Sequence, residues 1–207
     1  MYLLIKRCFD FIFAVMALII FLPLMVVVAL AIKLTSRGPV FYLGSRTGLY
    51  GQPFKMLKFR SMVVDADLKG GPSTTLDDPR FTSIGRIIRK YKLDELPQLI
   101  NVILGHMSLV GPRPQVKHYT DLYKGDEHRM LSMKPGITDL ASLYFSDMDA
   151  ILGTGDVDSY YLSNIEPIKN KLRIRYVHEA TFALDMKILI ETGLKIFGMN
   201  RVFDLGL

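Results

Sequence analysis

Residues 11–32 read FIFAVMALIIFLPLMVVVALAI, 22 consecutive positions without a charged side chain. As a helix such a run covers a hydrocarbon core of ~30 Å, so the first question is how the chain meets a membrane. Lys6 and Arg7 precede the run and Ala29 and Ala31 lie near its end, as in a cleavable signal peptide. The run is longer than the ~7–15 apolar residues of such a peptide, which argues against that reading. Two others stay open. A single spanning helix is the usual fate of a run this long, but Lys6 and Arg7 on one side are balanced by Lys33 and Arg37 on the other, and a spanning segment normally shows a bias. A helix that enters, bends and returns to the same face suits Pro23, near the middle of the run, whose missing N–H and ring favour a kink. Spanning helices also tolerate proline, so the residues leave the choice open.

Outside this anchor, assigned to residues 1–36, residues 37–207 form one interfacial domain of ordinary size. Half of the 207 residues are hydrophobic and 22% are charged, which excludes both a disordered chain and one wholly buried in lipid. The single cysteine, Cys8, excludes an intramolecular disulfide framework and a multi-cysteine zinc site. The domain carries 23 Lys and Arg against 19 Asp and Glu, a modest excess that suits an anionic membrane surface or phosphate-bearing substrates. No zinc-finger, basic-zipper or ribonucleoprotein motif is present, so nucleic acid is not an expected partner.

Punctuation gives the coarse fold. Val40–Leu43 and Phe54–Met62 read as strands of a hairpin around the Gly44–Gln52 turn. Residues 65–80 read as a polar loop. Ser83 is placed to cap a helix over Ile84–Tyr91, and a second helix is predicted from Asp94 to Val102 or Leu104. Residues 111–114 and 133–138 read as Pro/Gly loops, and Tyr160–Ile165, Pro167–Ala180 and Leu184–Phe197 as helical. The fold class is α+β, mainly helical with a small sheet.

The chemistry concentrates at Lys92-Leu93-Asp94-Glu95-Leu96-Pro97-Gln98-Leu99. Asp94 can cap a helix and Pro97 suits a first turn, which would explain the stretch without any function. The same geometry also favours ionised carboxylates and phosphate, and two adjacent carboxylates could divide the work between attack on phosphorus and holding a divalent metal. Lys58 and Arg60 alternate on a strand and share a face. Arg86, Arg89 and Lys90 line a helix whose apolar side would be Ile87, Ile88 and Tyr91. Arg113, between Pro112 and Pro114, is a candidate phosphate clamp on a stiff loop. The four histidines show no HExxH spacing, and there is no GxSxG, Walker A or Rossmann element. Asp147, Asp149, Asp156 and Asp158 read as solvated acidic loops rather than calcium ligands.

Taken in order, the motifs are Lys6-Arg7 with Asp10, Pro23, Ser36-Arg37-Gly38-Pro39-Val40-Phe41, Lys58-Phe59-Arg60-Ser61-Met62 and Asp78-Pro79-Arg80-Phe81-Thr82. They continue with Ile84-Gly85, Arg89, Leu93 to Leu99, Asn101-Val102, Met107-Ser108, Val110-Gly111-Pro112-Arg113-Pro114, Pro135-Gly136-Ile137-Thr138 and Asp185. Over nearly its whole length the chain resembles the small monotopic phosphoglycosyl transferases, bacterial sugar transferases that initiate glycan assembly on polyprenyl phosphate. The resemblance implies a re-entrant helix broken at Pro23, seated among membrane lipids on the cytoplasmic face of the bacterial inner membrane. It implies transfer of a sugar 1-phosphate from a UDP-sugar to polyprenyl phosphate with release of UMP and with Mg2+ as cofactor, an early step of exopolysaccharide or other glycan assembly. Asp94 would form a phosphosugar-aspartyl intermediate and Glu95 would help bind the metal. Lys58, Arg60, Arg89 and Arg113 would stand near substrate phosphates.

Three positions depart from the family pattern. Asp139 and Ser142 stand where Gly and Gln are usual after Pro-Gly-Ile-Thr, and Arg173 where many relatives carry an acid. They put sugar or nucleotide recognition in question and keep alive a rival reading, an anchored binding subunit of a glycan-assembly complex that has lost catalysis. Apolar segments outside the anchor could support a homodimer or deeper membrane seating.

Overall fold

The computed structural model describes residues 2–69, 78–145, 157–196, 198–199 and 202–205. The Gly70-Gly71-Pro72 part of the expected polar loop, and Asp147, Asp149 and Asp156, lie outside those residues.

The first element, α1 (Tyr2–Thr35), is one unbroken helix of 34 residues. Pro23 lies inside it, and helical hydrogen bonding runs on past the proline, which removes one bond while its neighbours keep theirs. The buried residues of α1 are Lys6, Asp10, Ala14, Met25, Val28 and Ile32, a single stripe at helical spacing. Pro23 lies on the opposite, exposed face with Ile19, Ile20, Val26, Val27 and Leu30. Ala14 packs into the larger core with Met107, Val110, Leu140 and Ile188, and Ile32 into a second core with Phe59 and Ile88. Both halves of the helix thus rest on the same domain, and Leu18 touches both cores.

The hairpin is β1 (Phe41–Thr47) and β2 (Pro53–Phe59), antiparallel with Phe41 opposite Phe59. β1 runs four residues beyond the expected Leu43, since the chain reverses only at Gly48–Gln52, where Gly51 takes a positive φ of 78°. The helix α2 (Ser83–Lys90) is capped by the Thr82 hydroxyl, which accepts from Gly85 N–H, rather than by Ser83. Its expected apolar side is split: Ile88 is buried, whereas Ile87 and Tyr91 are exposed.

Asp94 is not a helix cap. It lies inside a 3-10 turn (Leu93–Glu95) that opens from Lys92 in the left-handed region, and α3 (Gln98–Ile103) follows from Pro97. The expected loop 133–138 contains a strand: β4 (Gly136–Thr138) runs parallel to β3 (Ser108–Val110), which ends just before the other expected loop. Three-residue strands are too short to show a period. Two glycines permit the pairing, since a Cβ on Gly136 would lie 2.1 Å from the Gly111 nitrogen, and one on Gly111 would lie 2.4 Å from the Lys134 carbonyl oxygen. The short helix α4 (Lys117–Thr120) and α5 (Leu140–Tyr144) complete the middle of the chain. Residues 157–165 are helical with a π turn at Tyr161–Ile165 and lead into α6 (Glu166–Glu179), before α7 (Phe182–Ile196).

Buried polar bonds fasten the anchor to this scaffold at both ends. Arg7 donates to the Val102 and Ile103 carbonyls at the end of α3, and Asp10 accepts from the Ser108 hydroxyl at 2.7 Å and Leu109 N–H at 3.2 Å. Lys6 and the Tyr2 and Tyr176 hydroxyls all donate to Asp185. At the far end Arg60 donates to the Ser36 and Arg37 carbonyls and the Ser36 hydroxyl, closing the last turn of α1.

Candidate active site

The 3-10 turn that carries Asp94 and Glu95, strand β2 and the loop after β3 meet at one place. Strand β2 supplies Lys58, whose Nζ is 2.9 Å from Glu95 Oε1 and 3.8 Å from Asp94 Oδ2. The Gly111–Pro114 loop supplies Arg113, whose guanidinium grips Glu95 with both terminal nitrogens and also donates to the Ile137 carbonyl at 3.0 Å. Glu95 is therefore held by two cations from two different elements.

Asp94 is handled differently. It is 4% exposed, and among the described residues nothing donates to its Oδ1. A buried carboxylate oxygen without a partner costs free energy in the resting protein, which marks it as an atom reserved for something the chain itself does not supply. Burial pushes the Asp94 carboxyl above the usual carboxylate range, opposed by Lys58 and reinforced by the neighbouring Glu95 charge. For Glu95 burial acts in the same upward sense, but Arg113 and Lys58 outweigh it and hold the carboxyl well below that range. Two adjacent carboxyls are driven apart, one pinned as an anion and one poised.

Of the expected phosphate contacts, the structure brings Lys58 and Arg113 to the dyad. Arg89 lies at the end of α2 with its guanidinium 4.9 Å from the Phe81 ring centroid, close enough for its charge to act on Asp94. Arg60 is not part of this group: it is 5% exposed and its donors serve the end of α1. Alternation put it on the face of Lys58, but it lies one residue past β2, where the chain meets the anchor.

One residue was missed. Gln98, on the first turn of α3, is 1% exposed, and neither its Nε2 nor its Oε1 has a partner among the described residues. The signal available in the sequence was an amide set among Leu96, Leu99 and Val102, four positions after Asp94.

Residues 1–199 match the model of a family described as bacterial sugar transferase. The chain belongs to that family. It is 38% identical over 202 residues to the exopolysaccharide production protein PSS of Rhizobium leguminosarum bv. phaseoli, covering 92% of this chain and 94% of that protein. It is 37% identical over 199 residues to the UDP-glucose:undecaprenyl-phosphate glucose-1-phosphate transferase of Escherichia coli (strain K12), covering 94% of this chain but 40% of that protein. A UDP-N-acetylgalactosamine-undecaprenyl-phosphate N-acetylgalactosaminephosphotransferase of Aeromonas hydrophila is 38% identical over 170 residues, again with 40% of its length covered. For these last two, this bacterial sugar transferase spans less than half the relative's length. In its own sequence the dyad is intact, and the departures at Asp139 and Arg173 turn out to face each other at 3.5 Å.

Proposed function

We propose that this sugar transferase moves a sugar 1-phosphate from a UDP-sugar to polyprenyl phosphate at a membrane surface, through a covalent intermediate on Asp94. The observation that carries the reading is the unpartnered Oδ1 of a buried, ionisable Asp94 beside Lys58 and an Arg113-bound Glu95. The named activities of the Escherichia coli and Aeromonas relatives are consistent with it.

In the first step an Asp94 oxygen attacks the phosphorus that bears the sugar, and the bond from that phosphorus to the bridging oxygen breaks. UMP leaves with the electron pair and a phosphosugar-aspartyl anhydride remains. In the second step a polyprenyl phosphate oxygen attacks the same phosphorus and expels the Asp94 carboxylate, giving the polyprenyl-diphosphate-sugar. Splitting the reaction in this way avoids bringing two anionic substrates together in one transition state. Lys58 stands where negative charge builds on the transferring phosphoryl group, and Arg113 fixes Glu95.

Magnesium fits this donor set. No group of three or more His, Cys, Asp or Glu side chains converges among the described residues, but Mg2+ is commonly held by one or two carboxylates with water and substrate phosphates completing its shell. Glu95 would hold it through a carboxylate oxygen, and it would neutralise charge on the phosphates.

The seating of the anchor follows from its packing. Among the described residues one helix is long and apolar enough to cross a membrane, yet its two ends are tied to one domain through Lys6–Asp185 and Arg60–Ser36. A domain on one side of a bilayer cannot hold both ends of a helix that crosses it. We read α1 as re-entrant and the protein as monotopic on the cytoplasmic face. Pro23 lies opposite the buried stripe, where its ring, crowding the carbonyl on its own side, favours a bend toward the domain.

The test is UMP release from a panel of UDP-sugars with and without polyprenyl phosphate. UDP-sugar alone is expected to release up to one equivalent of UMP and leave sugar phosphate on Asp94. UMP that appears only when polyprenyl phosphate is present, with no trapped adduct, would replace the covalent scheme by direct displacement.

A further inference from the structure

Behind Arg113 lies a second, fully buried ionic cluster that takes no part in the transfer chemistry. Asp139 has no exposed surface and Arg173 is 2% exposed. Asp139 Oδ1 accepts from Ser142 N–H at 2.6 Å and caps α5, while Oδ2 accepts from the backbone N–H of Arg113 at 3.1 Å. Arg173 Nε approaches that same Oδ2 at 3.5 Å, and its NH1 donates to Glu166 Oε1 and Asn170 Oδ1, both at 2.9 Å. Glu166 in turn accepts from the Gln115 side chain at 3.1 Å. The two carboxylates that touch Arg173 therefore hold the Arg113 loop on both sides, one at Arg113 and one at Gln115.

Charge explains why the arrangement needs Arg173. Asp139 and Glu166 are two buried carboxylates close to one loop, and besides Arg173 the charges that act on Asp139 are those of Arg113 and Lys169. A buried anion without a partner is expensive. Without Arg173, Asp139 would compete with Glu95 for Arg113 and draw its guanidinium out of the dyad. The Asp139 oxygens accept from the Ser142 and Arg113 backbone N–H groups, and Arg173, whose Nε makes no hydrogen bond among the described residues, supplies the counter-charge at 3.5 Å that leaves Arg113 with Glu95.

We propose that Arg173 is a positioning residue for the transfer site: by neutralising Asp139 and Glu166 it holds the Arg113 loop so that Arg113 meets Glu95. The proposal rests on the reading of Arg113 and Glu95 as parts of that site.

The experiment uses the full chain in nanodiscs and has two arms. In the first, hydrogen–deuterium exchange is followed by mass spectrometry for the wild type, Arg173→Met and Asp139→Asn. Exchange over residues 111–116 is expected to rise about tenfold in both variants while residues 41–59 keep wild-type protection. In the second, UMP release is measured for Arg173→Met alone and combined with Arg113→Lys. Arg173→Met is expected to lower turnover about tenfold in the wild-type background and less than about twofold in the Arg113→Lys background, because the two residues act through one contact. Unchanged exchange over 111–116 in both variants, or losses that simply multiply, would overturn the proposal. If Arg173→Met does not fold, Arg173→Gln, which removes the charge but keeps a buried polar group beside Asp139 and Glu166, carries both arms with the same expected outcomes. A wild type that releases no UMP from any UDP-sugar would count against the proposed function, and the exchange arm would still decide the role of Arg173.

Discussion

Lys6 Nζ lies 2.8 Å from Asp185 Oδ2, joining the start of the membrane helix to the last helix of the domain across 179 positions of sequence. Both side chains are under 10% exposed, so the pair matters less for its own attraction than for what remains if one member is lost. Lys6→Met leaves the Asp185 carboxylate buried with only the Tyr2 and Tyr176 hydroxyls as donors. Breaking such a pair costs about 3–5 kcal/mol. For a chain of this size that is a fall of roughly 10 °C in melting temperature, read in detergent by tryptophan-independent circular dichroism. Replacing both residues by apolar ones is expected to recover much of the loss.

The same contact gives the proposed topology a test. In a Cys8→Ser background, single cysteines introduced at Leu3 and at Arg37, both exposed, are expected to react with an impermeant maleimide from the same side of sealed vesicles. Labelling from opposite faces would mean that α1 spans and that its packing on the domain is lost in a bilayer.

Arg113→Lys tests whether geometry or charge matters at Glu95. The guanidinium reaches both Glu95 oxygens and the Ile137 carbonyl together, which one ammonium cannot do. Turnover is expected to fall about a hundredfold with charge retained. An Arg113→Lys enzyme with wild-type turnover and substrate affinity would reduce the arginine to a structural tie.

Much of this was legible because the motifs are local and each residue type has one chemistry. The apolar run is a helix, the hairpin pairs with its strand ends shifted by a few residues, and Arg113 meets Glu95 of the Asp94-Glu95 pair. What the sequence hid is long-range pairing. Arg60 looked like a neighbour of Lys58 by alternation, yet the 23 positions back to Arg37 decide its partner. Asp139 and Arg173 read as two unrelated departures because 34 residues separate them, and the packing of α6 on α5, which Asp139 caps, makes them one ion pair. The parallel β3–β4 contact was invisible for the same reason, being three residues long on each side.

Asp94 and Gln98 are expected to trade stability against activity. Both bury polar atoms that find no partner among the described residues. Burial raises the Asp94 carboxyl above its unfolded value, so its contribution to stability is present at low pH and is lost as pH rises through the folded value. Asp94→Asn is therefore expected to melt higher than the wild type at neutral pH, with the difference closing as the pH is lowered, while covalent labelling vanishes. Gln98→Leu is expected to melt no lower than the wild type and to transfer more slowly. A clear drop in melting temperature for either variant would mean that the resting protein, not the substrate, uses these atoms.

The pH dependence of the first step follows from the same environment. Attack needs the Asp94 carboxylate, so single-turnover UMP release is expected to fall on the acid side at a pH above the ordinary carboxylate range of about 4. Burial sets that direction, Lys58 opposes it and the Glu95 charge adds to it. Lys58→Met removes the opposing cation, so its acid limb is expected to move further up. Glu95→Gln removes a neighbouring negative charge, so the limb of its residual activity is expected to move down. Glu95 itself, held below the usual range against its own burial by Arg113 and Lys58, stays ionised across the window and cannot produce the limb. Opposite shifts in the two variants would assign the titration to Asp94. An acid limb that moves in neither variant would place the essential ionisation on the substrate phosphates.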